Sequence, residues 1–241
     1  MATFRQTINR VLVSLGQAGD LVADSAKTLT DEYHTKVAQV VNDILAEVEA
    51  AAQWRALYVR DTVTVSANAL SGTLTSSNSE SRVFQSVDAH HGRLMPLCFD
   101  VTTTTAQDPL RELDLAELLR RDQGNDNDSE TGGPSHFALA PDGADGMALY
   151  LWPRQTVAVD VEIDMIVPQG RLPHTSLAEL DTVIKTPAII TQLGATWWLM
   201  EDRGEEFGAQ GGKQEMRYNK RLSDAVALEH DQQGLNDLVI V

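Results

Sequence analysis

Cysteine is almost missing from these 241 residues: Cys98 stands alone, which excludes an intrachain disulfide framework and a thiolate zinc cluster and suits a reducing cytoplasm. Set between Leu97 and Phe99, it reads as a small buried hydrophobe. Long apolar runs are missing as well. No stretch approaches the roughly 18 apolar residues that a membrane span needs, and Met1 to Gly16 has neither the apolar core nor the small-residue cleavage site of a secretory signal. Positive charge is scarce, with 19 Lys and Arg against 35 Asp and Glu and a formal net charge of −16. Nucleic-acid affinity rests mainly on neutralising phosphates, so this balance argues against a groove that grips a phosphate backbone. It suits solubility, or a surface past which DNA slides without sticking.

The usual signatures of chemistry are also absent. No GxxxxGK[ST] loop, GxGxxG turn or GxSxG elbow occurs, so nucleotide binding and serine-hydrolase chemistry lack their backbone signals. The six histidines (His34, His90, His91, His136, His174, His230) form no HExxH pair, which argues against zinc. Asp126-Asn127-Asp128-Ser129-Glu130 offers oxygens for calcium, but Thr131 stands where an EF-hand needs its turn glycine and Phe137 where it needs its bidentate glutamate. That run reads as a solvated acidic loop. The acidic residues supply many accidental carboxylate pairs and the sequence singles out none for acid and base work. The expectation is no catalytic residue, no cofactor and no metal.

Helical signals lie at both ends of the chain. Thr3 with Gln6 forms a capping box ahead of Phe4, Ile8, Val11, Leu12 and Leu15, and Gly16 ends that helix. Thr28 or Thr30 is expected to open a longer helix carrying Tyr33, Val37, Val40, Val41, Ile44, Leu45 and Val48 to about Trp54. Ser176 with Glu179 makes another capping box. Thr186 and Pro187 start a helix with Ile189, Ile190, Leu193, Trp197 and Met200 on its inner face. Gly204, Gly208, Gly211 and Gly212 read as a flexible loop before a last helix, about Gln214 to Glu229, with Tyr218, Leu222, Ala225 and Val226. Trp197 and Trp198 are adjacent and cannot share one helix face, so one belongs to the core and the other to the rim or a partner.

Between the helical ends the pattern turns to β-branched alternation. Strands are expected at Thr62 to Val65, Leu70 to Thr75, Arg82 to Val87 and Leu94 to Thr104. Asp108 and Pro109 are expected to open a short helix with Leu110, Leu113, Leu118 and Leu119. Ser135 to Ala140 and Met147 to Trp152 flank a turn, Pro141 to Gly146, and a strand follows over Thr156 to Val167. Each helical end is too small to bury its own apolar face. The expected class is therefore α+β, a helical bundle of residues 1–57 and 174–231 with an antiparallel, sandwich-like β domain at 58–173 inserted, and an apolar tail at 232–241.

The order of "LVSLG", "YVRDTVTV", "DLAELLRRD", "GGPSHFAL", "MALYLWPRQTVAVDVEIDM" and "TPAIITQLGATWWLMEDRGE" resembles the head-to-tail adaptor proteins of tailed bacteriophages, including the tail tubular protein A type. The likeness covers nearly the whole chain. It implies a structural virion protein without enzymatic activity, assembled in the host cytoplasm as a homo-oligomeric neck ring, typically of twelve subunits. A portal protein would sit above, a tail nozzle or other tail proteins below, and genomic DNA would pass through during ejection without sequence-specific binding. On this resemblance the apolar segment Leu235, Leu238, Val239, Ile240 and Val241 is expected to meet the portal. A second reading is a carbohydrate- or receptor-binding tail module, motivated by Tyr150 and Trp152 near a strand end. A hydrolase rests only on the abundance of carboxylates.

Overall fold

The computed structural model describes residues 2–23, 29, 31–87, 94–102, 109–124, 133–172, 180–203 and 209–232. The chain is mixed α+β and divides into two compact units, one of Met1–Leu57 with Gln169–Gln232, the other containing Tyr58–Pro168.

In the first unit, helix α1 spans Phe4–Ser14, and its capping box pairs Thr3 with Gln6 as the spacing requires. Gly16 follows at φ +77°, the left-handed conformation that glycine takes without a Cβ penalty. Helix α2 spans Glu32–Ala51 and opens on Asp31, not on either threonine. The Asp31 carboxylate accepts from the Tyr33 and His34 amides at 2.8 and 3.1 Å, which meets donors the first turn cannot satisfy itself. Trp54 lies beyond the helix, buried, and its indole N–H donates to the Val48 carbonyl at 2.6 Å.

Helix α4 spans Ala188–Asp202 and packs against α1, α2 and the long helix α5, Ala209–Gln232. Of the inner-face set expected on α4, Ile190 and Met200 are buried, Leu193 and Trp197 are partly covered, and Ile189 is 49% exposed. The buried face instead runs through Ile190, Thr191, Gly194, Ala195 and Leu199. Apolar residues surround this helix, and a sequence stripe cannot choose between faces when three neighbours share the burial. Gly211 and Gly212 belong to α5, so that helix begins earlier than its apolar pattern suggested.

Polar anchors tie the late segment to the early one inside this unit. Phe4 N–H donates to the Thr182 carbonyl at 2.9 Å and Ile184 N–H to the Ala2 carbonyl at 3.0 Å. Buried Arg5 pairs with Asp181 at 3.0 Å. Asn42, buried on α2, exchanges two hydrogen bonds with the Leu172 backbone, at 2.9 and 3.0 Å, and Glu49 accepts from the Gln169 amide at 3.1 Å. These hooks explain why the unit resumes at Gln169, ahead of the boundary expected after residue 173.

The second unit is β-rich. Strands β1 (Tyr58–Val65), β2 (Ser71–Leu74), β3 (Arg82–Val83), β4 (Gln85–Val87), β5 (Leu94–Pro96) and β6 (Cys98–Asp100) break the expected runs into shorter pieces. They are followed by β7 (Arg111–Glu112), helix α3 (Leu115–Gly124), β8 (His136–Pro141), β9 (Met147–Trp152) and β10 (Val159–Ile166). β10 pairs antiparallel with β1 along one edge, Tyr58 facing Ile166 and Val65 facing Val159, and with β3 and β6 along the other. A second sheet has the order β2-β9-β8-β7, antiparallel except for β7 beside β8. β4 and β5 form a two-stranded ribbon. One apolar cluster draws on both four-stranded sheets, with Val63, Val161 and Ile163 from the first and Phe137, Leu149 and Leu151 from the second.

The expected helix from Pro109 is corrected. Leu110 is buried ahead of β7, and α3 starts only after Asp114, whose carboxylate accepts from the Ala116 amide at 2.8 Å. The Leu110 amide donates to the Cys98 carbonyl and that of Leu113 to the Phe137 carbonyl, so strand-like pairing takes both leucines out of the helix. The Ser176 and Glu179 box lies outside the described residues.

Candidate functional site

Of the sequence candidates for chemistry, several fall outside the described residues: the acidic run Asp126 to Glu130, His90, His91, His174, and the apolar tail residues Leu235, Leu238, Val239, Ile240 and Val241. Cys98 is fully buried in the β-rich core, where desolvation first, then the charges of Asp164 and Glu112, push its thiol far above the ordinary range. Among the described residues no group of three or more His, Cys, Asp or Glu side chains could hold a metal ion, and no helix is long and apolar enough to cross a membrane.

Two polar constellations among the described residues of the β-rich unit bear on chemistry. Asp164 on β10 is buried, and it accepts from the Tyr58 hydroxyl at 2.7 Å and from Arg60 at 2.7 and 3.0 Å. Arg60 faces Asp164 in the β1–β10 register and reaches Glu162 at 3.2 Å. Partial burial and the Asp164 acceptor raise the Tyr58 pKa. With every polar atom of the set engaged, the arrangement is a cross-strand clamp.

The other set surrounds Trp152. The Arg121 guanidinium lies over its ring at 5.3 Å and His136 meets it edge-on at 5.5 Å. Glu117 accepts from Arg120 and Arg121, and these bonds hold its carboxyl down at about 2. Trp152 is partly buried, with Arg121 against its ring and His136 at its edge. Ser135 Oγ lies 2.8 Å from His136 Nδ1. Among the described residues no carboxylate bonds to the other ring nitrogen, so the pair lacks the group that orients a general base. Burial, then Arg121 and Arg111, lower the His136 pKa.

The helical unit carries the surface that its own packing leaves unsatisfied. Three adjoining depressions join into one trough through shared residues, Arg10 between the first and second and Ile189 between the second and third. Its floor is Val13, Ile189 and Leu193, with Val13 51% exposed. Arg10, Lys185, Arg217, Lys220 and Arg221 line its walls, and Asp224 is the acid among them. None of these five cations forms an ion pair with another described residue. In the sequence they are masked by the net charge of −16. The signal was present as Lys213, Arg217, Lys220 and Arg221 at helical spacing.

The two tryptophans on α4 separate as their adjacency demands. Trp197 stacks on Tyr218 at 6.0 Å, while Trp198 is 41% exposed. No protein-family model matches the chain, and no curated protein matches it.

Proposed function

We propose that the chain is a structural subunit of a bacteriophage head-to-tail adaptor ring, a helical bundle interrupted by a sandwich-like β domain. In that role it joins portal to tail and lines part of the DNA conduit. The observation that carries the reading is organisational. Met1–Leu57 and Gln169–Gln232 form one unit with Tyr58–Pro168 between them in sequence, in the element order that the adaptor resemblance implies. A net charge of −16 supports a conduit past which phosphates slide. The virion neck is the corresponding location, with portal and tail proteins as partners and no catalytic step.

The portal contact is assigned to Leu235 through Val241, whose five apolar side chains would contribute roughly 6–10 kcal/mol on burial before ordering costs. Removing Leu235 to Val241 should abolish co-sedimentation with the portal protein and leave the subunit's melting temperature unchanged. A lowered melt with portal binding intact contradicts the assignment, because the segment would then belong to its own subunit.

A further inference from the structure

We infer that the basic trough of the helical unit receives the acidic pole of a second copy of the same unit, so that copies associate head to tail. For its partner the inference rests on the ring reading above.

The trough lies beside the first turns of this helix, at Ile189 and Leu193. Five cations, Arg10, Lys185, Arg217, Lys220 and Arg221, face one acid there, Asp224. Pro187 caps α4 without a side-chain hydrogen bond, so no side chain offsets the positive end of the helix dipole, which adds to the field.

At the far end of α4, about 22 Å away for a helix of 15 residues, the sign reverses. Glu201 and Asp202 end the helix, both exposed. Lys36 pairs with Asp202 and Arg203 lies over the Tyr33 ring, which brings the start of α2, with exposed Asp31 and Glu32, to the same end. His34 reaches Asp20, whose side chain is 60% exposed. Among the described residues, five carboxylates, Asp20, Asp31, Glu32, Glu201 and Asp202, thus gather at this end around Lys36 and Arg203. Leu21, 44% exposed beside Asp20, supplies an apolar knob for a trough floored by Val13, Ile189 and Leu193.

The two patches complement each other, yet they occupy opposite ends of one helix and cannot meet within a subunit. A second copy brings both requirements together, acid for the walls and an apolar side chain for the floor. Duplex DNA would answer the charge and leave the floor uncovered. Because the patches differ, the contact is heterologous, the type that propagates and closes into a ring when its rotation permits. Charge complementarity of this kind sets register and encounter rate and weakens with salt.

A charge swap tests the inference on the full chain. One variant carries Arg217→Glu with Arg221→Glu, the other Glu32→Lys with Glu201→Lys. Each is first checked for an unchanged thermal melt, and the Gln counterparts serve if a reversal disturbs folding. Sedimentation velocity at low salt, alone and on the portal protein, should show wild type associating and dissociating as salt rises. Each variant alone should associate about tenfold more weakly or worse, and an equimolar mixture of the two should recover wild-type behaviour. Wild type that stays monomeric in both settings overturns the inference, as do variants that match wild type or a mixture that fails to recover. Duplex DNA binding that the Arg217→Glu, Arg221→Glu variant abolishes would overturn it in favour of a nucleic-acid occupant. Portal-bound rings indifferent to the swap sink this interface alone. Association that obeys the swap without portal binding upholds the interface and contradicts the adaptor reading.

Discussion

Gly194 sits where α4 must touch two helices at once. A Cβ built there would lie 2.7 Å from Ile44 Cγ2 on α2 and 2.9 Å from the Tyr218 ring on α5, closer than van der Waals contact allows. Glycine is costly within a helix by about 1 kcal/mol relative to alanine, and here the close approach of both neighbours offsets that cost. Gly194→Val should therefore destabilise the helical unit by about 1–3 kcal/mol, read as a lowered denaturant midpoint with little change in slope. An unchanged midpoint would mean that the three helices do not pack as described. Nothing in the sequence marked this residue, because a lone glycine inside a helical pattern signals only weak propensity until its neighbours are known.

His136 offers a residue-scale test by pH. Its pKa is lowered, chiefly by burial and then by Arg121 and Arg111, so the folded chain resists protonation more than the unfolded chain does. The sign follows from linkage: the stabilising contribution of neutral His136 is complete above the ordinary imidazole value of about 6.5 and is lost as pH falls through the lower folded value. An NMR titration should place its midpoint below the ordinary imidazole value of about 6.5, and His136→Gln should flatten the loss of stability as pH falls below that value. A midpoint above the ordinary value would contradict the environment described.

At the scale of elements, what was legible was whatever rested on local chemistry. The Thr3 and Gln6 box, the β8–β9 hairpin and the apolar stripe of α2 all follow from spacing alone. Boundaries decided by competing partners were not legible. Asp31 outcompetes Thr28 and Thr30 as the cap of α2, and Leu110 is drawn out of α3 by a backbone bond to Cys98. The inner face of α4 depends on three neighbours that no single stripe reveals.

The packing of α2 within the helical unit carries a direct test, since Val41 is fully buried on α2. Val41→Asp places an unpaired carboxylate on the buried face of α2 at a cost of several kcal/mol, on the order of a domain's whole stability. The helical unit should then lack a cooperative thermal transition. A wild-type melt in this variant would show that the face is not buried.

At the scale of the whole molecule, the net charge of −16 hides a segregation that matters more than the sum. A five-cation trough and a five-carboxylate pole stand at opposite ends of α4, and only their placement on the fold made them visible as patches. The candidate site was correspondingly less legible than the fold: helical spacing hinted at Arg217, Lys220 and Arg221, but the apolar floor beside them comes from α1 and α4, far away in sequence.

In the proposed adaptor role, copies of this chain build a ring between portal and tail. The most direct measurement is electron microscopy of the purified protein mixed with its portal protein. The expected images show closed rings, stacked coaxially on the portal, with an open channel wide enough for duplex DNA. Isolated single subunits, with portal particles left bare at saturating protein, would contradict it.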